Sequence, residues 1–117
     1  MDEISMIAVD LAKRVFQLHG VNAAGEVCLK RRLRRSQLIE FFTALKPCVV
    51  GMEACATAHH WARQLSALGH EVRLVPPLYV KPFGQRQKND AAYAAAICEA
   101  MSRPSMRLVP VKTEEQQ

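Results

Sequence analysis

No run in the sequence approaches the roughly 20 continuous apolar residues of a membrane span. The first residues, with Asp2 and Glu3, lack the basic start and apolar core of a signal peptide. The four cysteines, Cys28, Cys48, Cys55 and Cys98, are scattered and form no C-x-x-C pair. That argues against a disulfide frame or zinc site, and for reduced thiols in a cytoplasmic protein. There is no internal repeat and no low-complexity segment. With half of its 117 residues hydrophobic and 23% charged, the chain has the composition of one folded domain with a real core. A formal net charge of +5 and a pI near 9.3 lean toward an anionic partner such as nucleic acid.

The stretch Ile4-Ser-Met-Ile-Ala-Val-Asp10 organises the rest. A short apolar run rich in Ile and Val reads as a buried strand, and here it ends in one carboxylate. Burying that carboxylate is costly unless a partner or cation compensates; otherwise Asp10 lies solvated just past the strand. Arg14–Val21 and Glu26–Leu33, joined by the turn signal Asn22-Ala-Ala-Gly25, predict a hairpin. With the first strand they form an antiparallel meander of three. Ser36 is an expected N-cap for an amphipathic helix to Leu45, carried by Leu38, Phe41 and Phe42. Pro47 ends that helix, and Cys48–Glu53 is a fourth strand that also finishes in an acid.

Thr57 is expected to cap a helix through Trp61, Leu65 and Leu68 that stops at Gly69. Glu71–Val75 is a fifth strand, closed by Pro76-Pro77. Leu78–Lys88, with Tyr79, Lys81, Arg86 and Lys88, reads as a basic surface loop. Asn89 or Asp90 then caps an Ala-rich helix to about Ser102, and Met106–Val111 is a short extended run. The domain is expected over 1–105, with 106–117 as the start of a linker.

Parallel strands joined by helices cross over right-handedly, which puts the fourth and fifth strands in one sheet with the first. If the fourth lies beside the first, Asp10 and Glu53 are neighbours. Two like charges in contact call for a cation between them, and oxygen ligands suit Mg²⁺ or Mn²⁺. Such ions, in pairs, clamp the attacking and leaving oxygens of phosphodiester chemistry. Asp90 is a third candidate ligand if its helix packs across the same edge.

This order of strands and acids resembles the ribonuclease H-like (RuvC-like) fold, an α/β fold with a five-stranded mixed sheet and helices on both faces. More closely, Val9-Asp10-Leu-Ala-Lys13, Gly51-Met-Glu53-Ala-Cys55, Leu-Val-Pro-Pro77 with Tyr-Val-Lys-Pro82, Lys88-Asn-Asp90 and Ile97-Cys-Glu-Ala100 resemble the DEDD-type insertion-sequence transposases guided by a structured bridge RNA. The likeness runs through essentially the whole chain. It implies DNA transposition, Mg²⁺ or Mn²⁺ at the acids, DNA and a guide RNA as partners, and a homo-oligomer in the full-length protein. It further implies that the C-terminal serine domain lies outside this chain.

By the same resemblance three of the family's four acids fall on Asp10, Glu53 and Asp90, as catalytic and metal-holding residues. The fourth position is Tyr93, and two residues later stands Ala95. Residues at i and i+3 share a helix face, so an acid at 93 would join Asp90. A phenol, with a pKa of about 10, stays protonated and ligates poorly. Weak or absent metal binding and an impaired domain are therefore expected.

Lys13, Arg31, Arg32, Arg34, Arg35, Arg86 and Lys88 are the candidate nucleic-acid contacts. The run Lys30–Arg35 also suits a plain solvated sheet edge. His59-His60 beside Cys55 makes a poor soft-metal site, Trp61 and Leu65 suit the core, and Tyr79 is the better candidate for base stacking. Two other functions compete: a non-catalytic nucleic-acid-binding module of the same fold, and an actin-like phosphotransferase. The latter lacks its Gly-rich phosphate loop after Asp10 or Glu53.

Overall fold

Alternation along the strands gives each of them one face toward either side of the sheet, and both faces are apolar enough to need covering. In the computed structural model, residues 3–12, 14–84 and 90–117 are described, with the backbone alone for 81–84 and 90. Strands β1 (Met6–Leu11), β2 (Val15–Val21) and β3 (Val27–Arg34) form the meander. After a 3₁₀ turn at Arg35–Gln37 come α1 (Leu38–Thr43), β4 (Val49–Glu53), α2 (Ala56–Ala67) and β5 (Glu71–Val75). Helices α3 (Pro77–Gly84) and α4 (Asp90–Met101) follow.

The sheet order is β3-β2-β1-β4-β5, with β1 antiparallel to β2 and parallel to β4. This is the mixed five-stranded sheet that the meander and crossovers predict. Ile7, Val9, Phe16, Leu18, Val50, Met52 and Leu74 point to one side, where Leu38 and Phe42 of α1 and Ala58, Ala62 and Leu65 of α2 cover them. Ala8 and Val75 point to the other, under Ala96, Ile97, Ala100 and Met101 of α4 and Val80 of α3. Helices thus lie on both faces.

Helix α4 comes close because Gly51 on β4 has no side chain. A Cβ there would run into the Met101 thioether and stand 3.3 Å from Met101 Cβ. The hairpin turn is built by Asn22, whose side-chain oxygen accepts the N–H groups of Ala24 and Glu26 at 3.0 Å, with Gly25 at φ +83°. Beneath α1, His70 Nδ1 accepts the Cys48 N–H at 3.1 Å, so Nε2 carries the proton donated to the Phe42 carbonyl at 2.8 Å.

Three local expectations are corrected. Ser36 is not an N-cap: it lies within the 3₁₀ turn, and Gln37 Oε1 accepts the Arg34 N–H at 2.9 Å instead. Thr57 is not one either. The Ala54 N–H still bonds to the Val75 carbonyl at 2.8 Å and Cys55 stays extended at φ −158°, so the helix begins at Ala56 and Thr57 falls in its first turn. The expected basic loop is helical over Pro77–Gly84; Pro77 at its first position has φ preset for a helix and a missing N–H that costs nothing there.

Residues 106–117 run along β5 and α2. The Val109 N–H donates to the Leu74 carbonyl at 2.8 Å, Lys112 N–H to His59 Nδ1 at 3.0 Å, and Arg63 to Gln117 Oε1 at 3.0 Å. Among the described residues no helix is long and apolar enough to cross a membrane.

Candidate functional site

The last register pair of the parallel β1–β4 ladder is Val9 with Met52, so the next residue on each strand, Asp10 and Glu53, stand side by side. Val9 and Met52 point into the α1/α2 core, and by alternation both acids lie on the α4 face. Asp10 is paired with Gln17 on β2, and Gln17 with Arg32 on β3. One row across the sheet therefore reads Arg32, Gln17, Asp10, Glu53, on the side that α4 covers. Both acids are half-buried, at the strand ends where the sheet opens to solvent.

Helix α4 brings Tyr93 onto this pair. Its hydroxyl donates to Glu53 Oε2, while its ring packs against the cluster that contains Ile97, Val80 and Val75. The phenol is held well above its ordinary pKa, first by burial, then by the hydrogen bond and charge of Glu53, and last by the charge of Asp10. Tyr93 is thus fixed as a neutral O–H donor facing two carboxylates. The donor set is all oxygen, of the kind hard divalent cations accept, but one Glu53 oxygen is already engaged by the phenol. Among the described residues no three His, Cys, Asp or Glu side chains gather round one point. Asp90 opens α4, three residues before Tyr93, and its side chain lies outside the described set.

Of the candidate nucleic-acid contacts, Lys13, Arg86 and Lys88 lie outside the described residues. The others do not make one patch. Arg31 lies over the Phe41 ring at 5.3 Å and Arg35 over Phe16 at 5.8 Å, both toward α1. Arg32, opposite Gln17, belongs to the acid-bearing face, and Arg34 pairs with Val15 at the strand end. Tyr79 is exposed on α3.

The remaining polar candidates have structural roles. His59 is buried and accepts from the Lys112 N–H, and its pKa is lowered by burial and by Lys112 and Arg63. Burial pushes the Cys48 and Cys98 thiols up to about 11, which leaves them protonated and unreactive near neutral pH. Exposed Cys55 has the Thr57 hydroxyl at 3.5 Å. Leu65 is fully buried in the core, whereas Trp61 packs edge-on against Phe16, with centroids 5.5 Å apart, and stays half-buried at the core's edge.

Sequence reasoning missed Gln17, a nearly buried amide beside Asp10. The signal was present in the short turn between the first two strands, which fixes the residue opposite Asp10. It also missed an open groove of about 730 Å³ near the end of β3, which brings Arg14 and Trp61 together with Arg34 and Arg35.

Comparison with known proteins places the chain in a family. The family model DEDD_Tnp_IS110, described as "Transposase", matches residues 7–117. A Pseudomonas aeruginosa protein named "Probable family 20 transposase" is 57% identical over 114 residues, covering 97% of this chain and 34% of the relative. The transposase for insertion sequence element IS1328 of Yersinia enterocolitica is 46% identical over 117 residues, all of this chain and 35% of its own. That for IS1111A of Coxiella burnetii is 45% identical over the same 117 residues, 32% of its length. The chain spans about a third of the length of the curated relatives it matches. With a family match over nearly its full length, the chain belongs to the DEDD_Tnp_IS110 transposase family.

Proposed function

We propose that this chain is a metal-dependent nucleic-acid-processing domain of a DNA transposase, impaired at the fourth position of its acid set. The observation that carries the reading is the pair Asp10 and Glu53 on neighbouring parallel strands, with Tyr93 of α4 hydrogen-bonded to Glu53. Asp10, Glu53 and Asp90 would hold Mg²⁺ or Mn²⁺. The ion, when bound, supplies charge neutralisation at a phosphodiester.

The chain's own residues set the limits. Two adjacent strands deliver two carboxylates whose repulsion a cation relieves. Tyr93 brings no negative charge, occupies a Glu53 oxygen with its O–H, and adds an apolar ring beside the acids. That same bond favours a second reading, a nucleic-acid-binding module that keeps the fold without turnover. On either reading the partner is DNA in the cytoplasm, with a bridge RNA as guide. In the oligomeric full-length protein a serine domain beyond these residues would supply the nucleophile.

Binding of a labelled DNA oligonucleotide, with Mn²⁺ and with EDTA, tests the proposal on the chain and on Tyr93→Asp. Both should bind DNA, and Mn²⁺ should tighten binding in Tyr93→Asp alone. Absence of DNA binding in both proteins would refute the nucleic-acid-processing role proposed for this domain. Equal tightening by Mn²⁺ would refute the impairment.

A further inference from the structure

The groove at the end of β3 combines features that the acid site does not use. It is open, has a volume of about 730 Å³, and is lined by exposed Arg14, Arg34 and Arg35 together with half-buried Val15, Ile39 and Trp61. Among the described residues none of the three guanidiniums makes an ion pair with a carboxylate. Arg35 lies over the Phe16 ring, and Phe16 in turn packs edge-to-face on Trp61. His60 also packs edge-to-face with the indole, with centroids 5.0 Å apart. The ring is therefore held in place before any ligand arrives, so little side-chain entropy is lost in stacking on it.

The geometry points to this groove as a binding site for an unpaired, single-stranded stretch of nucleic acid, its phosphates on Arg14, Arg34 and Arg35 and a base against Trp61. Three cations with no counter-charge among the described residues call for a polyanion. The apolar lining with a fixed indole calls for a flat, weakly polar group beside that charge. A nucleotide carries both. A duplex presents its phosphates with the bases stacked inside, so it would leave Trp61, Val15 and Ile39 without a partner.

The position suits the occupant. Leu11 pairs with Phe16, and Val15 with Arg34, so the groove lies at the same end of the sheet as Asp10. Two strand spacings, about 10 Å, separate β3 from β1. A strand held in the groove can thus continue over the sheet end toward the acids. The inference rests on the nucleic-acid reading above and assigns its unpaired strand a place.

Trp61 is the sole tryptophan, which makes its fluorescence a reporter of this groove. The test is run in EDTA, so that the acid site contributes nothing. A 12-nucleotide oligothymidine should quench Trp61 and raise its own label's anisotropy at the same concentration, whereas a 12-base-pair duplex should leave Trp61 unquenched. The log–log salt slope should be about −2 for three phosphates and fall to about −0.7 in the double variant Arg14→Gln, Arg34→Gln. That variant changes two exposed residues and keeps the fold, and it should bind at least about tenfold more weakly.

Oligonucleotide binding without Trp61 quenching, or with the salt slope unchanged in the variant, would overturn the groove and leave the nucleic-acid reading intact. Equal quenching by the duplex would overturn the single-strand assignment. Equal quenching by polyglutamate would assign the groove to an acidic protein partner instead. No binding of any oligonucleotide would overturn both the groove and the reading it rests on.

Discussion

Replacing Tyr93 with Phe removes one oxygen and leaves the ring in place, so it isolates the bond to Glu53. A hydrogen bond to a charged acceptor contributes about 1.5–3 kcal/mol when buried. Tyr93 and Glu53 are only half-buried, and water can replace part of the lost bond. The expected loss is therefore about 1 kcal/mol, or about 4 °C in melting temperature for a chain of this size. Thermal melts followed by circular dichroism in EDTA measure it directly. The deficit should narrow when Mn²⁺ is added, because the cation can then take the Glu53 oxygen that the phenol engaged and relieve its repulsion with Asp10. Alkali supplies a second readout. The folded chain keeps a phenol proton that the unfolded chain releases near pH 10. The stabilisation from Tyr93 is thus complete below pH 10 and is lost as pH rises above it. The gap between wild type and Tyr93→Phe should close over that range. A Phe variant as stable as the parent in EDTA, with the same alkaline profile, would refute the role given to this bond.

Two further predictions follow from the sheet and its cover. His19, on β2 beneath α4, has its pKa lowered by burial and by the charge of Lys30, so below about pH 6.5 the unfolded chain takes up a proton that the folded chain resists. Melting temperature should fall from pH 7 to pH 5, and His19→Gln should fall less; identical profiles would contradict this. Gly51→Ala places a methyl group against Met101 and should cost about 1–3 kcal/mol in urea unfolding as α4 shifts. A neutral substitution would show that α4 is not tightly seated on β4.

The strands were legible because their apolar alternation is strong and their breaks are marked by Asn22-Ala-Ala-Gly25, Pro47 and Pro76-Pro77. The right-handed crossover put β4 in one sheet with β1, but that the two are neighbours, which sets Asp10 beside Glu53, was an expectation that the sheet order bears out. Helix α3 was not legible. Pro82 and Gly84 both disfavour helix interiors, while burial of Val80 in the α4 cluster supplies the compensation that only the fold reveals. The caps at Ser36 and Thr57 failed for a similar reason: hydrogen bonds between Gln37 and Arg34, and between Ala54 and Val75, moved the helix starts by one or two residues. Position 93 was identifiable through the family likeness, but its bond to Glu53 depends on how far α4 sinks onto the sheet. That depth is set by the missing side chain of Gly51, forty-two residues earlier in the chain. The groove beside Trp61 was hidden because Arg14 comes from the β1–β2 turn, Arg34 from β3 and Trp61 from α2, and no spacing in the sequence relates them.

Calorimetric titration of Mn²⁺ into the chain and into Tyr93→Asp tests the central claim most directly. The substitution adds a negative ligand and removes the phenol that engages Glu53, so it should tighten Mn²⁺ binding by at least about tenfold, equivalent to about 1.4 kcal/mol. Metal at about a hundred times the variant's dissociation constant should then stabilise it by about 2.7 kcal/mol, against about 1.4 kcal/mol or less for the parent at the same Mn²⁺ concentration, visible as a larger rise in melting temperature. Equal affinity in the two proteins would contradict the account. It would mean that Asp10, Glu53 and Asp90 already suffice for the metal, or that these acids hold none in either protein.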